Sequence, residues 1–437
     1  MKVRIVGGGL AGCEAAWQLA RRGHEVELWE MKPEKYTPAH SNPDLGELVC
    51  SNSLKSNELT SASGLLKQEM RLFGSLIIAT ADAVRVPAGS ALAVDRDAFA
   101  RTLTERVKSE PRITVLAGEV ERLDPEIPTI VATGPLTSDA LADHIAELLG
   151  LERLYFYDAE APIVSAESLN MDVVFAASRY GKGEDYLNCP MNREEYEAFW
   201  HALVEAKTAP VHGFEDKKVF EACMPVETLA KRGPRTLAFG PLRPVGLIDP
   251  KTERRPYATV QLRKENLEGT LYNIVGFQTR LTYGEQKRVF GMIPGLEDAE
   301  FVRYGVMHRN TYLPAPDHLN ARFQTVKLPN LFFAGQITGV EGYVESAASG
   351  LMAAIHMDRY LKALAPVDFG PRTMLGALSR HIGTPAVNYQ PMNANFGILE
   401  PLPERIRGKK EKYGVLAKRS LAELERLIEG MQLRPAD

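Results

Sequence analysis

Cysteine is the residue type in this chain best suited to covalent catalysis, because a thiolate is a strong nucleophile. The 437-residue sequence contains four cysteines, which are Cys13, Cys50, Cys189 and Cys223. Their spacing matches neither a redox CxxC pair nor a zinc knuckle, and we predict no metal site. On residue type alone each of the four is a candidate nucleophile, and the spacing does not choose among them.

A glycine-rich loop close to the N-terminus predicts a phosphate-binding site. Residues Gly7–Gly12 read GGGLAG and follow the predicted strand Lys2–Val6. In such a loop the first glycine permits a tight turn, the second admits a pyrophosphate, and the third lets the next helix pack on the strand. The phosphates meet the N–H groups and the positive end of that helix, predicted from Cys13 to Arg22. We therefore assign cofactor binding to Gly7, Gly8, Gly9, Leu10, Ala11 and Gly12.

An acidic residue follows at the position where such folds bind a ribose. Glu30 ends the second predicted strand, Glu25–Trp29, eighteen residues after Gly12. Its carboxylate is placed to accept hydrogen bonds from a ribose hydroxyl. A carboxylate at this point favours FAD or NAD and disfavours the 2′-phosphate of NADP.

The elements that position these residues belong to a parallel sheet. Two more predicted strands, Thr129–Thr133 and Leu331–Ala334, end in glycine turns. The second is followed by a predicted helix from Glu345 to about Leu364. Strands that end in glycine turns before helices are typical of a doubly wound α/β fold.

The middle of the chain has a different composition, which is rich in aromatic and proline residues. Strands are predicted there at Tyr257–Leu262 and Leu271–Phe277, with a short helix near 194–207. The predicted fold class is α/β, with a Rossmann-like, parallel-sheet domain interrupted by an inserted α+β domain. The expected boundaries are 1–155 for the first part of the nucleotide-binding domain, 156–320 for the insertion, and 321–437 for the second part. That last part includes a C-terminal helix at about 414–430.

Composition limits the functions open to the chain. Lysine plus arginine is 52 against 56 acidic residues, which gives a net charge of −4. This excludes a protein that binds nucleic acid through bulk positive charge, although local basic patches remain possible. No apolar run is long enough to cross a membrane, and the N-terminus has no signal-peptide pattern. We expect a soluble, cytoplasmic protein with no membrane partner.

Five segments and Glu30 together resemble a family of flavoprotein enzymes that modify tRNA. They are Gly7–Gly12 with Glu30, the turn Ala132–Gly134, the segment Phe333–Gly350 (FAGQITGVEGYVESAASG), and the pair Glu47–Ser56 (ELVCSNSLKS) and Gln390–Gly397 (QPMNANFG). The last pair is similar to the folate- and FAD-dependent tRNA (uracil-5-)-methyltransferases in particular, which are relatives of the GidA-like flavoproteins.

The resemblance implies an activity and its cofactors. A member of this family makes 5-methyluridine at position 54 in the T loop of tRNA. Methylenetetrahydrofolate is the carbon donor, and FAD reduced by NAD(P)H is the methylene carrier and reductant. The interrupted Rossmann-like domain is then an FAD-binding domain. Its isoalloxazine end is expected at Gly335, Gln336, Gly339 and Tyr343.

The family pattern also ranks the cysteines. Carbon 5 of uracil is a poor nucleophile until a thiolate adds at carbon 6. By the resemblance Cys223, in Glu221–Pro225 (EACMP), is the nucleophile toward carbon 6 and Cys50 is its partner near the flavin. The reversed assignment, with Cys50 as the nucleophile, is the alternative.

Two further groups of residues are candidates for substrate contacts. The segment Tyr304–Tyr312 concentrates stacking and hydrogen-bonding side chains, and we assign His308 and Arg309 to the folate pterin. Basic residues cluster at Lys231–Lys264 and at Glu404–Arg419, with nine and seven lysines and arginines. Both clusters are either solvated faces or contacts to tRNA phosphates.

Other functions stay open at this point. A GidA-like wobble-uridine enzyme is disfavoured because that branch has a long C-terminal helical domain, for which this chain is too short. A small-molecule flavin oxidoreductase is disfavoured by the basic patches and the cysteine motifs. A tRNA-binding protein with a purely structural flavin is the fourth reading.

Overall fold

A computed structural model of the chain describes residues 1–151, 155–159, 161–209, 224–265, 269–305, 307–385, 389 and 391–434. For 155–159 and 307–310 the description covers the backbone. The strands, in chain order, are β1 Lys2–Val6, β2 Glu25–Glu30, β3 Ser53–Ser56, β4 Arg85–Val86, β5 Ala91–Val94, β6 Ile113–Ala117, β7 Thr129–Val131, β8 Tyr155–Ala159, β9 Ile163–Ser165, β10 Phe175–Ala176, β11 Tyr186–Met191, β12 Ala258–Lys264, β13 Leu271–Ile274, β14 Phe301–Arg303, β15 Met307–Thr311 and β16 Leu331–Phe333.

Along the chain most of the α-helices lie between these strands, and the last three follow β16. They are α1 Leu10–Ala20, α2 Ala62–Leu72, α3 Leu76–Ala83, α4 Arg96–Ser109, α5 Asp139–Leu149, α6 Arg193–Glu205, α7 Val226–Lys231, α8 Thr236–Phe239, α9 Tyr283–Phe290, α10 Ala315–His318, α11 Tyr343–Leu361, α12 Met374–Gly383 and α13 Lys409–Met431.

A five-stranded parallel sheet forms the frame of the molecule, in the order β16-β7-β1-β2-β6. Strands β1, β7 and β16 are short and rich in β-branched or apolar residues, and most of their side chains are buried. Because all five strands run the same way, their carboxyl ends meet at one edge, where α/β folds bind ligands. The predicted α/β class with a Rossmann-like parallel sheet is confirmed.

A six-stranded antiparallel sheet, β10-β11-β12-β13-β9-β14, is built from residues 163–303. Its buried side chains form a hydrophobic cluster with α6 and α9, separate from the larger cluster around the parallel sheet. The described residues also form two small antiparallel sheets, β3-β5-β4 and β15-β8. The division of the chain at 155 and 320 stays a prediction.

Helix α11 fixes the late part of the chain against the first helix. The Gly350 Cα lies so close to the Ala11 carbonyl that a Cβ on Gly350 would overlap it. Every residue of α11 from Ala347 to Asp358 is buried. This contact brings the Tyr343 end of α11 to the glycine loop that precedes α1.

Candidate active site

The glycine loop has the backbone that the sequence predicts for a phosphate site. Gly7 has a φ of +106°, a conformation that favours glycine, and it ends β1. A Cβ on Gly12 would overlap the carbonyl of Gly7, so this glycine lets α1 pack on the strand. Gly9 is extended at the start of α1, and a Cβ there would meet no atom within 4 Å. The space beside Gly9 is therefore open where a pyrophosphate is expected.

Glu30, at the end of β2, is hydrogen-bonded to the glycine loop. Its Oε2 accepts a hydrogen bond from the Gly8 N–H at 2.7 Å, and its Oε1 accepts one from the Lys32 N–H at 3.0 Å. The same side chain lines the cavity beside the loop. Glu30 thus connects β2 to the glycine loop, and its predicted contact with a ribose stays a prediction.

One cavity lies between the glycine loop and a late segment of the chain, which we define as residues 335–346. Its empty volume, which includes space open to solvent, is about 1090 Å³. The predicted cofactor residues Gly7, Gly9, Leu10, Ala11, Glu30, Gly335, Gln336 and Tyr343 line it, together with Thr133, Gly134 and Ser346. Gly8, Gly12 and Gly339 lie beside the cavity without lining it. The late segment therefore completes a site that begins more than three hundred residues earlier in the chain.

The turn after β16 is held by a hydrogen bond across to α11. The Gly335 N–H donates to Ser349 Oγ at 2.6 Å, and Gly335 has a φ of +85°. A Cβ on Gly335 would lie 3.2 Å from the Cβ of Ala11. Gly339 faces Tyr389, whose ring occupies the position a Cβ would need, and the Tyr389 hydroxyl donates to the Thr338 carbonyl at 2.8 Å.

The backbone at Cys50 is held by Tyr343, which lines this cavity. The Tyr343 phenol oxygen accepts hydrogen bonds from the Cys50 N–H at 2.7 Å and from the Ser51 N–H at 3.1 Å. Cys50 is half-buried, whereas Cys13 and Cys189 are buried. Burial raises the pKa of the Cys13 and Cys189 thiols, which makes both poor nucleophiles.

A buried arginine from the antiparallel sheet supports the same loop. Arg263, in β12, donates from Nε to Asn52 Oδ1 and from Nη2 to Ser51 Oγ, both at 2.7 Å. Asn52 in turn donates to the Lys264 carbonyl at 2.6 Å. Burial lowers the pKa of Arg263 and Glu265 opposes this, and the guanidinium also interacts electrostatically with Cys50. Arg263 belongs to the basic cluster Lys231–Lys264, predicted to be a solvated face or a contact to tRNA phosphates, and its burial contradicts both interpretations for this residue.

An ion pair fixes the strand that follows the cysteine loop. Lys55 Nζ lies 2.9 Å from Glu345 Oε1, and the Glu345 side chain is fully buried. The same Oε1 accepts a hydrogen bond from the Ala394 N–H at 3.0 Å. The backbone of Lys55 has a φ of 61°, in the left-handed region that residues other than glycine rarely adopt. Such conformations cluster near functional sites. Residues of the cysteine loop, of α11 and of the tail near Ala394 are thereby joined.

Cys223 lies outside the residues that the structure describes. The two ends of its segment are placed, because Ala209 N–H donates to the Arg280 carbonyl at 2.8 Å and Val226 N–H donates to the Gln278 carbonyl at 2.7 Å. Both ends therefore rest on residues 278–281. The position of the Cys223 thiol relative to Cys50 stays a prediction.

The side chains of His308 and Arg309 also lie outside the description. Their backbone belongs to β15, where they pair with residues 158 and 157 of β8. Shortly after β15, the Leu313 N–H donates to the Ile337 carbonyl at 2.8 Å. The end of β15 is thus connected to the turn at Gln336, and the assignment of the two side chains to a pterin stays a prediction.

Arg263, Lys55 and Glu345 contribute to the site although their sequence context predicts no specific role for them. Arg263 is one of nine basic residues in its cluster, and Lys55 and Glu345 lie within longer segments. Arg263 directly follows the mostly apolar run Ala258–Leu262 within β12, and a charged residue at such a position is the signal that marks it. Among the described residues, no three His, Cys, Asp or Glu side chains are grouped to hold a metal ion. In that part of the chain, no helix has the length and apolar character to span a membrane.

Comparisons with known proteins agree with this geometry. A family model described as glucose inhibited division protein A matches residues 2–365. The methylenetetrahydrofolate–tRNA-(uracil-5-)-methyltransferase TrmFO of Pelotomaculum thermopropionicum is 59% identical over 98% of both chains. The protein of the same name from Halalkalibacterium halodurans is 55% identical over 98% of this chain and 99% of its own. In fold the chain is similar to the solved GidA of Aquifex aeolicus, with a TM-score of 0.72 and 15% identity over 100% of this chain and 76% of that one.

Proposed function

The chain belongs to the family of methylenetetrahydrofolate–tRNA-(uracil-5-)-methyltransferases, and on that basis we propose that it methylates carbon 5 of the T-loop uridine at position 54 of tRNA. Methylenetetrahydrofolate is the carbon donor, and NAD(P)H reduces the FAD. One observation carries the proposal: Tyr343 lines the cavity that starts at the glycine loop and holds the loop of Cys50. A tRNA-modifying enzyme meets its substrate in the cytoplasm, which is the expected compartment.

The residues of the cavity fit FAD. The open space at Gly9 and the N-terminus of α1 suit a pyrophosphate, and Glu30 suits the ribose of the adenosine half. Gly335, Gln336 and Tyr343 would hold the isoalloxazine half, with Gly339 in the turn behind them. When bound, FAD would carry the one-carbon unit and supply the hydride that turns a methylene into a methyl group.

The cysteines supply the nucleophile that uracil chemistry requires. We assign addition at carbon 6 to the Cys223 thiolate, which would make carbon 5 nucleophilic. Cys50 would act beside the flavin as its partner. Tyr343 and Arg263 position the Cys50 loop through hydrogen bonds to Ser51 and Asn52. A nearby guanidinium also favours a thiolate over a thiol.

Folate and tRNA contacts complete the proposal. His308 and Arg309 would bind the pterin, which is supported by the connection between the end of β15 and the turn at Gln336. The C-terminal basic cluster would contact tRNA phosphates. Lys409 and Lys410 line a groove with Phe396, two residues from the Ala394 that bonds Glu345.

Nucleoside analysis of the product tests the reaction. The purified protein is incubated with unmodified tRNA, methylenetetrahydrofolate and NADH or NADPH, and the tRNA is digested and analysed. We expect 5-methyluridine, located at position 54. A modified wobble uridine would favour a GidA-like activity. Oxidation of NAD(P)H with no modified nucleoside under any condition would favour a small-molecule oxidoreductase or a structural flavin.

Covalent trapping tests the assignment of the nucleophile. A tRNA with 5-fluorouridine at position 54 cannot lose fluorine from carbon 5 as it loses a proton, so the adduct should persist on the wild-type protein. Cys223→Ala should bind FAD but form no adduct and no product. A linkage mapped to Cys50 would reverse the two roles, and a linkage to neither cysteine would remove the covalent mechanism.

A further inference from the structure

A second pocket lies on the antiparallel-sheet side of the molecule and is lined by four arginines. We call it the arginine pocket, and its empty volume, which includes space open to solvent, is about 1040 Å³. Its lining residues are Arg193, Arg235, Ala238, Phe239, Arg243, Pro244, Val245, Arg255, Pro256 and Tyr257. All four arginines are exposed, and the lining contains no acidic residue. The pocket therefore concentrates positive charge in a protein whose net charge is −4.

Three of the four arginines have no partner among the described residues. Arg193 pairs with Glu197, at 2.7 Å, on the surface of α6. The side chains of Arg235, Arg243 and Arg255 make no ion pair or hydrogen bond to any residue in the part of the chain that the structure describes. Like charges that cluster without a counter-charge repel one another, and an anion bound among them relieves that repulsion.

The loop that carries Arg243 is held in place. The guanidinium of Arg179 donates from Nη1 to the carbonyls of Arg243 and Val245, at 2.7 and 2.9 Å, and from Nε to Gln261 Oε1 at 2.9 Å. One arginine thus fixes the backbone from which another projects. A preorganised site loses less conformational entropy when a ligand binds.

Aromatic rings stand beside the arginines. Phe239 ends α8 and is 74% exposed, although burial of such a ring is strongly favourable. Tyr257 is 36% exposed and packs one edge of its ring toward Tyr196, with the ring centres 5.3 Å apart. Exposed aromatic rings next to arginines are the combination that binds nucleotides, because bases stack on rings and guanidinium groups bind phosphates.

The pocket has a defined relation to the Cys50 loop. Tyr257 precedes β12, and Arg263 lies six residues further along the same strand, where it bonds Ser51. At roughly 3.3 Å per residue, the strand separates the two points by about 20 Å. One tRNA molecule is long enough to reach both places at once.

We propose that the arginine pocket is an RNA-docking site, which binds a phosphate and a stacked base of the tRNA at a distance from the methylated uridine. The inference rests on the proposed function, because tRNA is the substrate that the family modifies. The proposal assigns a part of the basic cluster Lys231–Lys264 to tRNA binding. The buried Arg263 of that cluster instead supports the Cys50 loop through hydrogen bonds.

Salt-dependent tRNA binding tests the proposal. The holoenzyme and its R243A/R255A variant are titrated with tRNA at several salt concentrations. We expect the variant to bind at least tenfold more weakly, with the slope of log affinity against log salt reduced by about 1 to 2. The charge-preserving R243K/R255K variant should keep that slope. Phe239→Leu should weaken binding several-fold with no change in slope, because stacking is lost and charge is not.

Matched controls separate docking from general charge effects. The R101A/R112A variant removes two exposed arginines in and after α4, outside the pocket, and should bind tRNA as the wild type does. FAD content and tRNA-independent NAD(P)H oxidation should be unchanged in every variant. If R243A/R255A binds tRNA like the wild type, or if R101A/R112A weakens binding as much, the proposal is wrong. A wild-type protein that neither binds nor methylates tRNA would instead overturn the proposed function.

Discussion

Tyr343 and Cys50 are 293 positions apart in the chain, and the phenol oxygen of the first accepts a hydrogen bond from the backbone N–H of the second at 2.7 Å. Burial raises the pKa of Tyr343, and the adjacent Cys50 raises it further, so the phenol stays neutral. A neutral phenol accepts from the two N–H groups without placing a negative charge beside the cysteine. The first residue of α11 therefore sets the backbone that presents the thiol.

Replacing Tyr343 by phenylalanine should slow methylation without loss of FAD. The substitution keeps the ring but leaves the N–H groups of Cys50 and Ser51 without their acceptor, which costs about 1–3 kcal/mol. We expect the rate of 5-methyluridine formation to fall about tenfold or more, with flavin absorbance unchanged. Tyr360→Phe is the control, since that hydroxyl bonds Asn330 at the far end of α11. Equal rates for both variants would contradict the positioning role.

Arg263→Gln should make Cys50 less reactive at neutral pH. The change removes the positive charge near the thiol and the bond from Nη2 to Ser51. Because a cation stabilises a thiolate, alkylation of Cys50 by iodoacetamide should slow several-fold at pH 7, and its pH profile should move to higher pH. Peptide mapping measures the reaction at Cys50 alone.

The neighbouring Lys264→Gln variant makes the same change in charge on the same strand. Successive side chains of a strand point to opposite faces, so Lys264 does not share the environment of Arg263. Its alkylation profile should match the wild type, and Arg263→Lys should lie between the two. Identical profiles for Arg263→Gln and Lys264→Gln would show that the guanidinium does not act on the cysteine.

The local parts of the site could be predicted from the sequence. The glycine loop, the strand before it and Glu30 lie within thirty residues, and their spacing carries the geometry. The helix starts were less exact. Gly9, Gly342 and Gly408 precede α1, α11 and α13, which begin two to five residues before the predicted starts. Glycine is a weaker N-cap signal than Ser, Thr or Asp, and no such residue marks these three starts.

The contacts across the site could not be predicted in the same way. Arg263 reaches Ser51 from 212 positions away, and Lys55 reaches Glu345 from 290. A single sequence contains no signal for such pairs, because they depend on how distant segments of the chain pack together. Burial of Arg263 also contradicts the general expectation that arginines in a basic cluster are exposed.

Gly9 and Gly12 should respond differently to alanine. A Cβ at Gly9 meets no protein atom within 4 Å, so Gly9→Ala should fold normally and lose most of its FAD because the methyl group occupies the space of the pyrophosphate. Gly12→Ala should instead destabilise the fold, since its Cβ overlaps the Gly7 carbonyl. Flavin absorbance and the melting temperature of the apoprotein distinguish the two. A Gly9→Ala protein with full flavin content would refute the pyrophosphate assignment.

Glu69 should make the stability of the protein depend on pH. It lies in α2, and its buried carboxyl accepts hydrogen bonds from the N–H groups of Met374 and Leu375, at 2.8 Å each, and from the Ser420 hydroxyl of α13. Burial raises the pKa of Glu69 from 4.5 to about 7, against the opposing effect of these hydrogen bonds. Between those two pH values the folded state holds more protons than the unfolded state, so stability falls as the pH rises.

Replacement of Glu69 by glutamine removes this titration. From pH 4.5 to 7 the wild type should lose on the order of 3 kcal/mol of unfolding free energy through Glu69, and Glu69→Gln should not. Urea unfolding at pH 4.5, 5.5, 6.5 and 7.5 measures the difference between the two proteins, which should shift in favour of the variant as the pH rises. The exposed Glu429→Gln on α13 is the control and should follow the wild type. A difference that stays constant with pH, or that shifts in favour of the wild type, would mean that the N–H groups at the start of α12 keep Glu69 ionised throughout this range.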